Sequence, residues 1–483
     1  MGRASEIDAW IHEVEPDVWE IPATARGDMR VPARVFADRE LLDAISGDQS
    51  LEQLQNVATL PGVVGAALAM PDVHQGYGFP VGGVAATELP DGVISPGGVG
   101  YDINCGVRLL ALPLSAEELG DRREALVHEI SRRVPAGAGR EGQLELRDIE
   151  LDRVLVEGAR ALVERHGIGI PEDVERAESR GCLPGAQPEG VSARARQRGA
   201  GQLGTMGSGN HFVELQVVER IHDERAARAF GLEAGQVTVL IHSGSRGLGH
   251  QVCSDYVREM DGALARHGIE LPDRQLACAP LSSPEGRAYL GAMACAANFA
   301  FANRQAIAHR VREAVRAALG PAAAEGTRQV YDVAHNVAKI EAHGGREVCV
   351  HRKGATRAFP AGSEEIPAEY RDVGQPVFIP GSMGTASFVL VGRPGSLERS
   401  FGSACHGAGR RMSRAGARKR ISGQELRREL EGAGIVIRSA SARGLAEEAP
   451  FAYKDVDRVV EVVERTDLAA RVARLRPLGV VKG

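Results

Sequence analysis

The sequence predicts an α+β fold, organised as a single large mixed α/β domain over residues 1–483. Three observations favour it. Apolar runs of strand length and helical stretches alternate irregularly, unlike the repeated strand–helix units of a doubly wound sheet. The sequence has no internal repeat and no Pro/Ser-rich linker. The candidate site residues run from Asp102 to His406, so one site built from them requires one domain, although length alone would allow about three.

The first half of the chain predicts strands that lead into and out of glycine-rich loops. Residues 63–70 are apolar and predict a buried strand, and residues 107–112 predict a strand that leaves the loop at 95–106. Ser115 with Glu118 three residues later forms a capping box, which predicts a helix from there to about residue 133.

Further helices and strands follow. Residues 152–166 predict a helix, and residues 178–198, which are polar with Gly, Pro and Arg, predict a surface excursion. Residues 237–241 predict a buried strand that ends at His242, and residues 283–319, rich in Ala, predict the longest helix. The C-terminal third alternates short strands with glycine turns and is expected to end in a polar helix and a short strand before Lys482.

Composition excludes several classes of protein. The chain is 43% hydrophobic and 25% charged, an ordinary globular balance. Its net charge of −6 argues against bulk electrostatic binding of nucleic acid, so any polyanion must meet a local basic patch. No segment approaches the ~20 apolar residues of a membrane span, and residues 1–20 lack the apolar core of a signal peptide. We therefore expect a cytoplasmic protein without membrane contact.

Seven cysteines are scattered through the chain without a C-x-x-C pair. This distribution argues against a disulfide framework and is typical of a reducing compartment.

Two potential metal ligands lie in the loop at 95–106, namely Asp102 and Cys105. His211, His242 and His335 each occur in a Gly- or Asn-flanked turn beside an apolar run and could complete the site. Two divalent metals become possible if the Cys105 thiolate bridges them, and ligand softness alone favours zinc. The alternative is structural, because a lone Cys is usually a small buried apolar residue and Asp beside glycine usually forms a turn.

Glycine loops beside these histidines are suited to phosphate, because their backbone N–H groups can face a ligand. His406 lies among small residues, and a neutral imidazole can attack phosphorus to give a phosphoramidate; the alternative is an ordinary turn histidine. The sequence has no G-x-x-x-x-G-K-[ST] loop and no Lys-x-Asp-Gly motif. If the chain activates a nucleotide covalently, His406 is therefore the better candidate nucleophile.

Basic residues form three clusters, which usually indicate a solvated face. The clusters are Arg194/Arg196/Arg198, Arg352/Lys353/Arg357 and Arg410/Arg411/Arg414/Arg418/Lys419/Arg420. The third begins four residues after His406, so it is the strongest candidate for contact with a polyanion.

Several motifs, in order over most of the chain, resemble the RtcB family of RNA-splicing ligases. Individually they are weak, but together they are highly specific. They are DVHQG at 72–76, SPGGVGYDINCGVR at 95–108, GNHF at 209–212, HSGSRGLGH at 242–250, ANFAFANR at 297–304, HN at 335–336, HRKGATR at 351–357, PGSMG at 380–384 and SACHGAGR at 403–410.

The resemblance implies a GTP-dependent ligase with two Mn(II) ions that joins RNA 2′,3′-cyclic phosphate or 3′-phosphate ends to 5′-hydroxyl ends. Asp102, Cys105 and His211 would hold one ion. Cys105, His242 and His335 would hold the other, with the thiolate bridging, and this overrides the preference for zinc. His406 would attack the α-phosphorus of GTP and form a histidine–GMP intermediate. Such an enzyme would act in tRNA splicing or RNA repair.

The resemblance also implies a GTP pocket, a small activator called archease, and a mixed α/β architecture with antiparallel or mixed sheets around a central metal and nucleotide site. We further expect Arg246 and Arg410 to contact RNA. The pocket would be formed by Asn210, His211, Phe212, Val213, Glu214, His335, Asn336, Pro380, Gly381, Ser382, Met383, Ser387, His406, Gly407, Ala408, Gly409 and Lys482.

Two other functions compete with ligation. A metal-dependent phosphodiesterase that opens cyclic phosphates would need the metal residues but neither His406 nor a guanine pocket. A non-catalytic protein that binds RNA ends would bind RNA without turnover and without GTP. The position of His406 in its glycine loop favours the ligase over both.

Overall fold

The computed structural model describes residues 10–137, 139, 142 and 151–483. Its strands are β1 (His12–Glu15), β2 (Val18–Ile21), β3 (Ala33–Phe36), β4 (Val63–His74), β5 (Val81–Glu88), β6 (Val93–Ile94), β7 (Gly106–Ser115), β8 (Phe212–Ile221), β9 (Gln236–Ser243), β10 (Ala279–Pro280), β11 (Arg328–Ala334), β12 (Asn336–His343), β13 (Arg346–Lys353), β14 (Ala355–Arg357), β15 (Pro376–Ile379), β16 (Ser387–Gly392), β17 (Ser403–Cys405), β18 (Val436–Ser439) and β19 (Ala469–Lys482).

The α-helices of the described residues surround these strands. They are α1 (Arg39–Ile45), α2 (Ser50–Val57), α3 (Ala116–Leu119), α4 (Arg122–Arg133), α5 (Leu151–Glu157), α6 (Ala159–His166), α7 (Pro171–Glu175), α8 (Ala193–Gly199), α9 (Glu224–Phe230), α10 (Arg246–Arg266), α11 (Pro284–Leu319), α12 (Pro321–Glu325), α13 (Pro394–Ser400), α14 (Arg414–Arg420), α15 (Gly423–Gly432), α16 (Ala442–Glu447) and α17 (Val456–Arg465).

Two large sheets organise the chain. One has the strand order β1-β2-β3-β4-β5-β13-β12, and the other has the order β11-β7-β9-β8-β19-β16-β15 with β18 added against β19. Neighbouring strands are mostly antiparallel, while β3–β4 and β18–β19 are parallel. The prediction of an α+β fold with mixed sheets is confirmed.

The register of the second sheet brings distant parts of the sequence to one edge. Gly106 at the start of β7 pairs with Ser243 at the end of β9 and with Ala334 at the end of β11. Phe212 at the start of β8 pairs with His242. Because these neighbours are antiparallel, the start of one strand lies beside the end of the next. Residues that flank these four strand ends therefore meet at a single edge, which we call the site edge.

Helix α11 joins the two sheets. It runs for 36 residues from an N-cap at Ser283, whose side chain accepts a hydrogen bond from the Gly286 N–H. Its buried Phe299 belongs to the apolar core of the first sheet, and its buried Ile307 and Val311 belong to the core of the second. The prediction of a long helix here is confirmed, and its alanines allow close packing on both cores.

A buried ion network ties α11 to the site edge. Arg304 on α11 and Arg108 on β7 both donate to Asp332 on β11, and all three residues are 0% exposed. Arg304 Nη1 also donates to the carbonyls of Asn104, at 2.7 Å, and Ser243, at 3.0 Å. Buried charges are tolerated only when they are paired and hydrogen-bonded, so this network fixes the loop before β7 against the end of β9.

Several elements differ from the prediction. The helix predicted at 115–133 begins with the expected capping box, but it breaks at Gly120, whose φ is 49°. The helix predicted at 152–166 breaks at Gly158, where a Cβ would lie 2.2 Å from the Gly181 carbonyl oxygen. The C-terminal strand has 14 residues and lies inside the second sheet between β8 and β16. Glycines and cross-strand partners, rather than local propensity, set these boundaries.

The segment 178–198 lies partly on the surface, with short turns and the helix α8. Its first residue departs from the predicted surface excursion, because Glu178 is buried and accepts from Lys339 Nζ at 2.5 Å and from the Ala334 N–H at 2.8 Å. The excursion is thus anchored to the end of β11. Among the described residues, every helix is too short or too polar to cross a membrane.

Candidate active site

Five predicted metal ligands meet at the site edge. Cys105 Sγ lies 3.3 Å from His211 Nε2 and 3.3 Å from His242 Nε2. His242 Nε2 lies 3.3 Å from His335 Nε2, and His211 Nε2 lies 2.8 Å from Asp102 Oδ2. The ligand atoms form two groups that share Cys105, namely Cys105/His242/His335 and Asp102/Cys105/His211, each within 4.8 Å. This is the arrangement expected of a thiolate between two cations.

The donor set fits divalent metal. Burial is the main reason that the pKa values of His242 and His335 fall well below the ordinary value, so both rings are neutral and carry a free lone pair. His211 Nδ1 lies 3.0 Å from the Met206 carbonyl oxygen; a hydrogen bond from Nδ1 leaves the Nε2 lone pair for a metal. Burial, followed by Asp102, raises the pKa of the Cys105 thiol, and a bound cation reverses that shift.

His406 follows β17 and lies beside this cluster. Its ring centroid is 4.9 Å from that of His335. His406 Nδ1 lies 2.6 Å from Asp72 Oδ2, and the same oxygen accepts from the backbone N–H groups of His406 at 3.0 Å and Gly407 at 3.2 Å. Because Nδ1 is committed to a buried carboxylate, Nε2 is the ring nitrogen available for reaction. Asp72 thus orients the candidate nucleophile.

Sequence reasoning assigned no role to Asp72, although it noted the motif that contains it. The residue is 0% exposed and lies 334 positions from His406. Gly409 allows the approach, because it has a φ of 73° and a Cβ there would lie 2.1 Å from the Asp72 carbonyl oxygen. The one available signal was an acidic residue just after the apolar run at 63–70; in the structure it lies on β4, which continues to His74.

A cavity of about 680 Å³ is lined by the five candidate metal ligands and His406. Most of the predicted nucleotide residues line it, and they come from β8, the loop before β16, the loop after β17 and the end of β19. The lining residues that were predicted are Asp102, Cys105, Asn210, His211, Phe212, His242, Arg246, His335, Asn336, Pro380, Gly381, Ser382, Met383, His406, Gly407, Ala408, Gly409, Arg410 and Lys482.

Three predicted nucleotide residues do not line this cavity: Val213, Glu214 and Ser387. Ser387 Oγ accepts from the Gly381 N–H at 3.2 Å and so supports the loop that does line it. Burial raises the pKa of Glu214 to about 8. These residues lie behind the cavity wall in this structure.

Lys482 closes the cavity at the end of β19. Its Nζ donates to the His211 carbonyl at 3.1 Å and lies 5.5 Å from the centroid of the Phe212 ring. Burial lowers the pKa of Lys482 to about 8. An ammonium and an aromatic ring thus face the cavity together, an arrangement that can receive a polar purine ring.

The second basic cluster, Arg352/Lys353/Arg357, is buried. Arg352 and Arg357 are buried at 1% exposure, and Arg352 forms a bidentate pair with Glu341. The prediction of a solvated or polyanion-binding face is therefore wrong for these two residues, because each arginine is paired inside the protein. Lys353, missed as a site residue, lines the cavity, and burial lowers its pKa to about 7.

The two predicted RNA contacts line the cavity, but both already have protein partners. Arg246 Nε donates to Thr205 Oγ1 at 3.1 Å. Arg410 donates to Glu448 Oε2 at 3.1 Å and to the Glu447 carbonyl at 2.8 Å, and its guanidinium lies 4.9 Å from the Tyr453 ring centroid.

A family model described as "tRNA-splicing ligase RtcB" matches residues 53–483. The fold, the candidate metal ligands and this match place the protein among the RNA ligases, a class of enzymes, and the family implies metal dependence. A "tRNA-splicing ligase RtcB" from Archaeoglobus fulgidus is 53% identical over 470 residues, which cover 96% of this chain and 97% of the relative. The chain belongs to the RtcB family.

Relatives from other organisms carry the same family name. An "RNA-splicing ligase RtcB" from Mycobacterium tuberculosis is 54% identical over 438 residues, covering 89% of this chain and 100% of the relative. A "tRNA-splicing ligase RtcB" from Nanoarchaeum equitans is 48% identical over 483 residues, covering 99% of this chain and 100% of the relative.

Proposed function

We propose that this protein joins RNA ends that carry a 2′,3′-cyclic phosphate or 3′-phosphate to 5′-hydroxyl ends, with GTP and Mn(II), through a guanylate bound to His406. One observation carries the proposal. Nε2 of His406 is in the same cavity as the five candidate metal ligands, with the ring 4.9 Å from that of His335 and Nδ1 2.6 Å from Asp72 Oδ2. A phosphodiesterase would not need this histidine.

The proposed metals are two Mn(II) ions. Asp102, Cys105 and His211 would hold one, and Cys105, His242 and His335 the other. When bound, the ions polarise phosphoryl oxygens and neutralise developing negative charge. The soft Cys and His ligands alone would favour zinc, and the choice of manganese rests on the resemblance to the family.

The proposed nucleotide pocket takes the guanosine of GTP beside Phe212 and Lys482. The loop 380–383 and the small residues at 407–409 line the same cavity and leave room for the phosphates. The N–H groups of Gly381 and Gly407 are already donated to Ser387 Oγ and Asp72 Oδ2. Glu214 and Ser387 lie behind the wall, so a small movement of β8 or of the 380–383 loop would be needed before Glu214 contacts the base.

The reaction follows in four steps. Water first opens a cyclic end to a 3′-phosphate. His406 Nε2 then attacks the α-phosphorus of GTP; the N–P bond forms as the bond to pyrophosphate breaks. An oxygen of the RNA 3′-phosphate attacks the same phosphorus, and the N–P bond breaks to release neutral imidazole. Finally the 5′-hydroxyl attacks the RNA 3′-phosphorus, loses its proton and displaces GMP.

Asp72 serves the second and third steps. When Nε2 bonds to phosphorus, the imidazole ring becomes positively charged, and the Asp72 carboxylate 2.6 Å from Nδ1 stabilises that charge. The same contact holds the proton on Nδ1, so Nε2 presents its lone pair. This arrangement is the orienting role that a buried carboxylate takes beside a catalytic histidine.

The wider setting is also proposed. We propose one catalytic domain over residues 1–483, assistance by archease, and a cytoplasmic location in tRNA splicing or RNA repair. All seven cysteines are free, which fits a reducing compartment.

The test of the nucleophile is covalent labelling. Wild-type protein incubated with α-³²P-GTP and Mn(II) should carry an acid-labile, alkali-stable label, and His406→Ala should carry none. His128→Ala, at an exposed histidine of α4, is the matched control and should label normally. No label on metal-loaded wild type would remove the GTP mechanism and favour the phosphodiesterase, and a label that persists in His406→Ala would mean another nucleophile.

The metal site is tested by metal content after dialysis. Wild type should retain about two ions per chain, and Cys105→Ser fewer than one, because both groups of ligands share this sulfur. Cys253→Ser, at a buried cysteine outside the cluster, should match wild type. Equal retention by Cys105→Ser would contradict the bridging arrangement.

A further inference from the structure

The cavity has an aromatic wall that the proposed GTP chemistry does not use. It consists of Tyr101 and His250, and Tyr77 packs against Tyr101. The centroids of Tyr101 and His250 are 6.2 Å apart with an interplanar angle of 29°, and Tyr77 meets Tyr101 edge-on at 5.5 Å. Tyr101 and His250 line the cavity, Tyr101 is half-buried and His250 is exposed. An aromatic face is therefore open to solvent beside the metal ligands.

The wall is held in place by the protein. Lys353 Nζ donates to the Tyr77 carbonyl at 2.8 Å, and the Gly78 N–H donates to Gln275 Oε1 at 2.8 Å. His250 lies on the second turn of α10, a helix of 21 residues. A rigid aromatic surface loses little conformational entropy when a flat ligand stacks on it.

The aromatic wall and the proposed guanosine pocket lie in different parts of the cavity. Tyr101 immediately precedes Asp102. Phe212 instead meets His242 edge-on at 5.5 Å and lies beside Lys482 on the β8–β19 side. One cavity thus offers two aromatic positions, and GTP supplies only one base.

The charges around the aromatic wall suit a polyanion. Arg246 lines the same cavity, and so does Lys353, whose Nζ donates to the Tyr77 carbonyl. The carboxylates that line the cavity already have partners: Asp102 is committed to His211 and to the Ser245 N–H, and Glu448 is paired with Arg410 and Arg414. A nucleotide strand could therefore place its phosphates near the cations and metals and its base on the rings.

We propose that the aromatic wall is a stacking subsite for a nucleobase at an RNA end, with the base on Tyr101 and His250. The inference rests on the proposed function, since it names where the RNA substrate of that site is held. Stacking on Tyr and His tolerates any base, so this subsite would grip RNA ends without selecting sequence.

The first test measures RNA binding without GTP, so it does not depend on guanylylation. A short RNA with a 3′-phosphate and one with a 5′-hydroxyl are titrated into metal-loaded protein. Tyr101→Leu, which keeps apolar packing, should bind one of them roughly tenfold more weakly. Tyr101→Phe should stay within about twofold of wild type, and His250→Ala, at an exposed position, should lose several-fold.

The second test removes the base instead of the ring. An abasic nucleotide at the contacting end should weaken wild-type binding roughly tenfold, whereas Tyr101→Leu should not distinguish abasic from intact RNA. Placing the abasic site in the 3′-end or the 5′-end RNA identifies which end stacks. The inference would be overturned if the abasic site and the Tyr101→Leu substitution weakened RNA binding additively, or if wild type bound abasic and intact RNA equally well at both ends. It would also be overturned if Tyr101→Leu lost affinity for GTP rather than for RNA. If wild type binds neither RNA, the proposed function itself fails.

Discussion

Replacing Asp72 by Asn should slow formation of the guanylate on His406 without removing it. The carboxylate Oδ2 accepts three hydrogen bonds, from His406 Nδ1 at 2.6 Å and from the backbone N–H groups of His406 and Gly407. Asn keeps the shape and one acceptor oxygen but removes the negative charge. A hydrogen bond to a charged partner is worth about 1.5–3 kcal/mol, and each ~1.4 kcal/mol is a factor of ten in rate. We therefore expect a roughly 10- to 150-fold slower reaction.

The assay is single-turnover labelling with α-³²P-GTP at saturating nucleotide, with metal content measured on the same preparation. Asp48→Asn, which removes a carboxylate outside the cavity lining, is the matched control and should react at the wild-type rate. Labelling of Asp72→Asn within about threefold of wild type would refute the view that Asp72 stabilises the charged imidazole. A slow rate accompanied by metal loss would place Asp72 in structural support of the cluster instead.

Three further outcomes are expected. Gly409→Ala should label at least about tenfold more slowly than wild type, because its Cβ would lie 2.1 Å from the Asp72 carbonyl oxygen. Gly407→Ala, whose Cβ would have no neighbour nearer than 3.4 Å, is the control and should label normally. Equal labelling rates for the two variants would contradict this. The pKa of Glu214 is raised to about 8, so the folded protein keeps a proton that the unfolded chain releases near its ordinary pKa, and stability falls as pH rises from about 5 to 8. Thermal melts should show a shallower fall with pH for Glu214→Gln than for wild type. The same pH dependence in both proteins would refute this. Arg304→Met should lower the free energy of unfolding by about 3–5 kcal/mol, measured by urea titration, and a change below about 1 kcal/mol would show that the ion network adds little.

Much of the site could be predicted because its chemistry is local in sequence. Each candidate metal ligand lies at or close to the end of an apolar strand, and the glycine or asparagine residues that flank it mark where the strand ends. The juxtaposition of His211 with His242 could not be predicted, because it depends on strand register between β8 and β9. Register is set by packing of whole faces rather than by local sequence.

Other features escaped prediction for different physical reasons. Asp72 reaches His406 across 334 positions, and nothing near either residue identifies the partner. Arg352 was expected at the surface because charged residues usually are, but Glu341, on the neighbouring strand β12, pairs with it inside the protein. The helix breaks at Gly120 and Gly158 did have a local signal, since glycine is unfavourable within a helix.

Helix α11 makes the unfolding of the two sheets cooperative. Because one helix supplies side chains to the cores of both sheets, loss of packing around either sheet exposes apolar surface on the other. Local unfolding of the site edge alone is therefore costly. If the two halves of the chain were expressed separately, α11 would be exposed to water until they reassembled. Heat or denaturant should disrupt the site edge and both sheets together, in one cooperative transition.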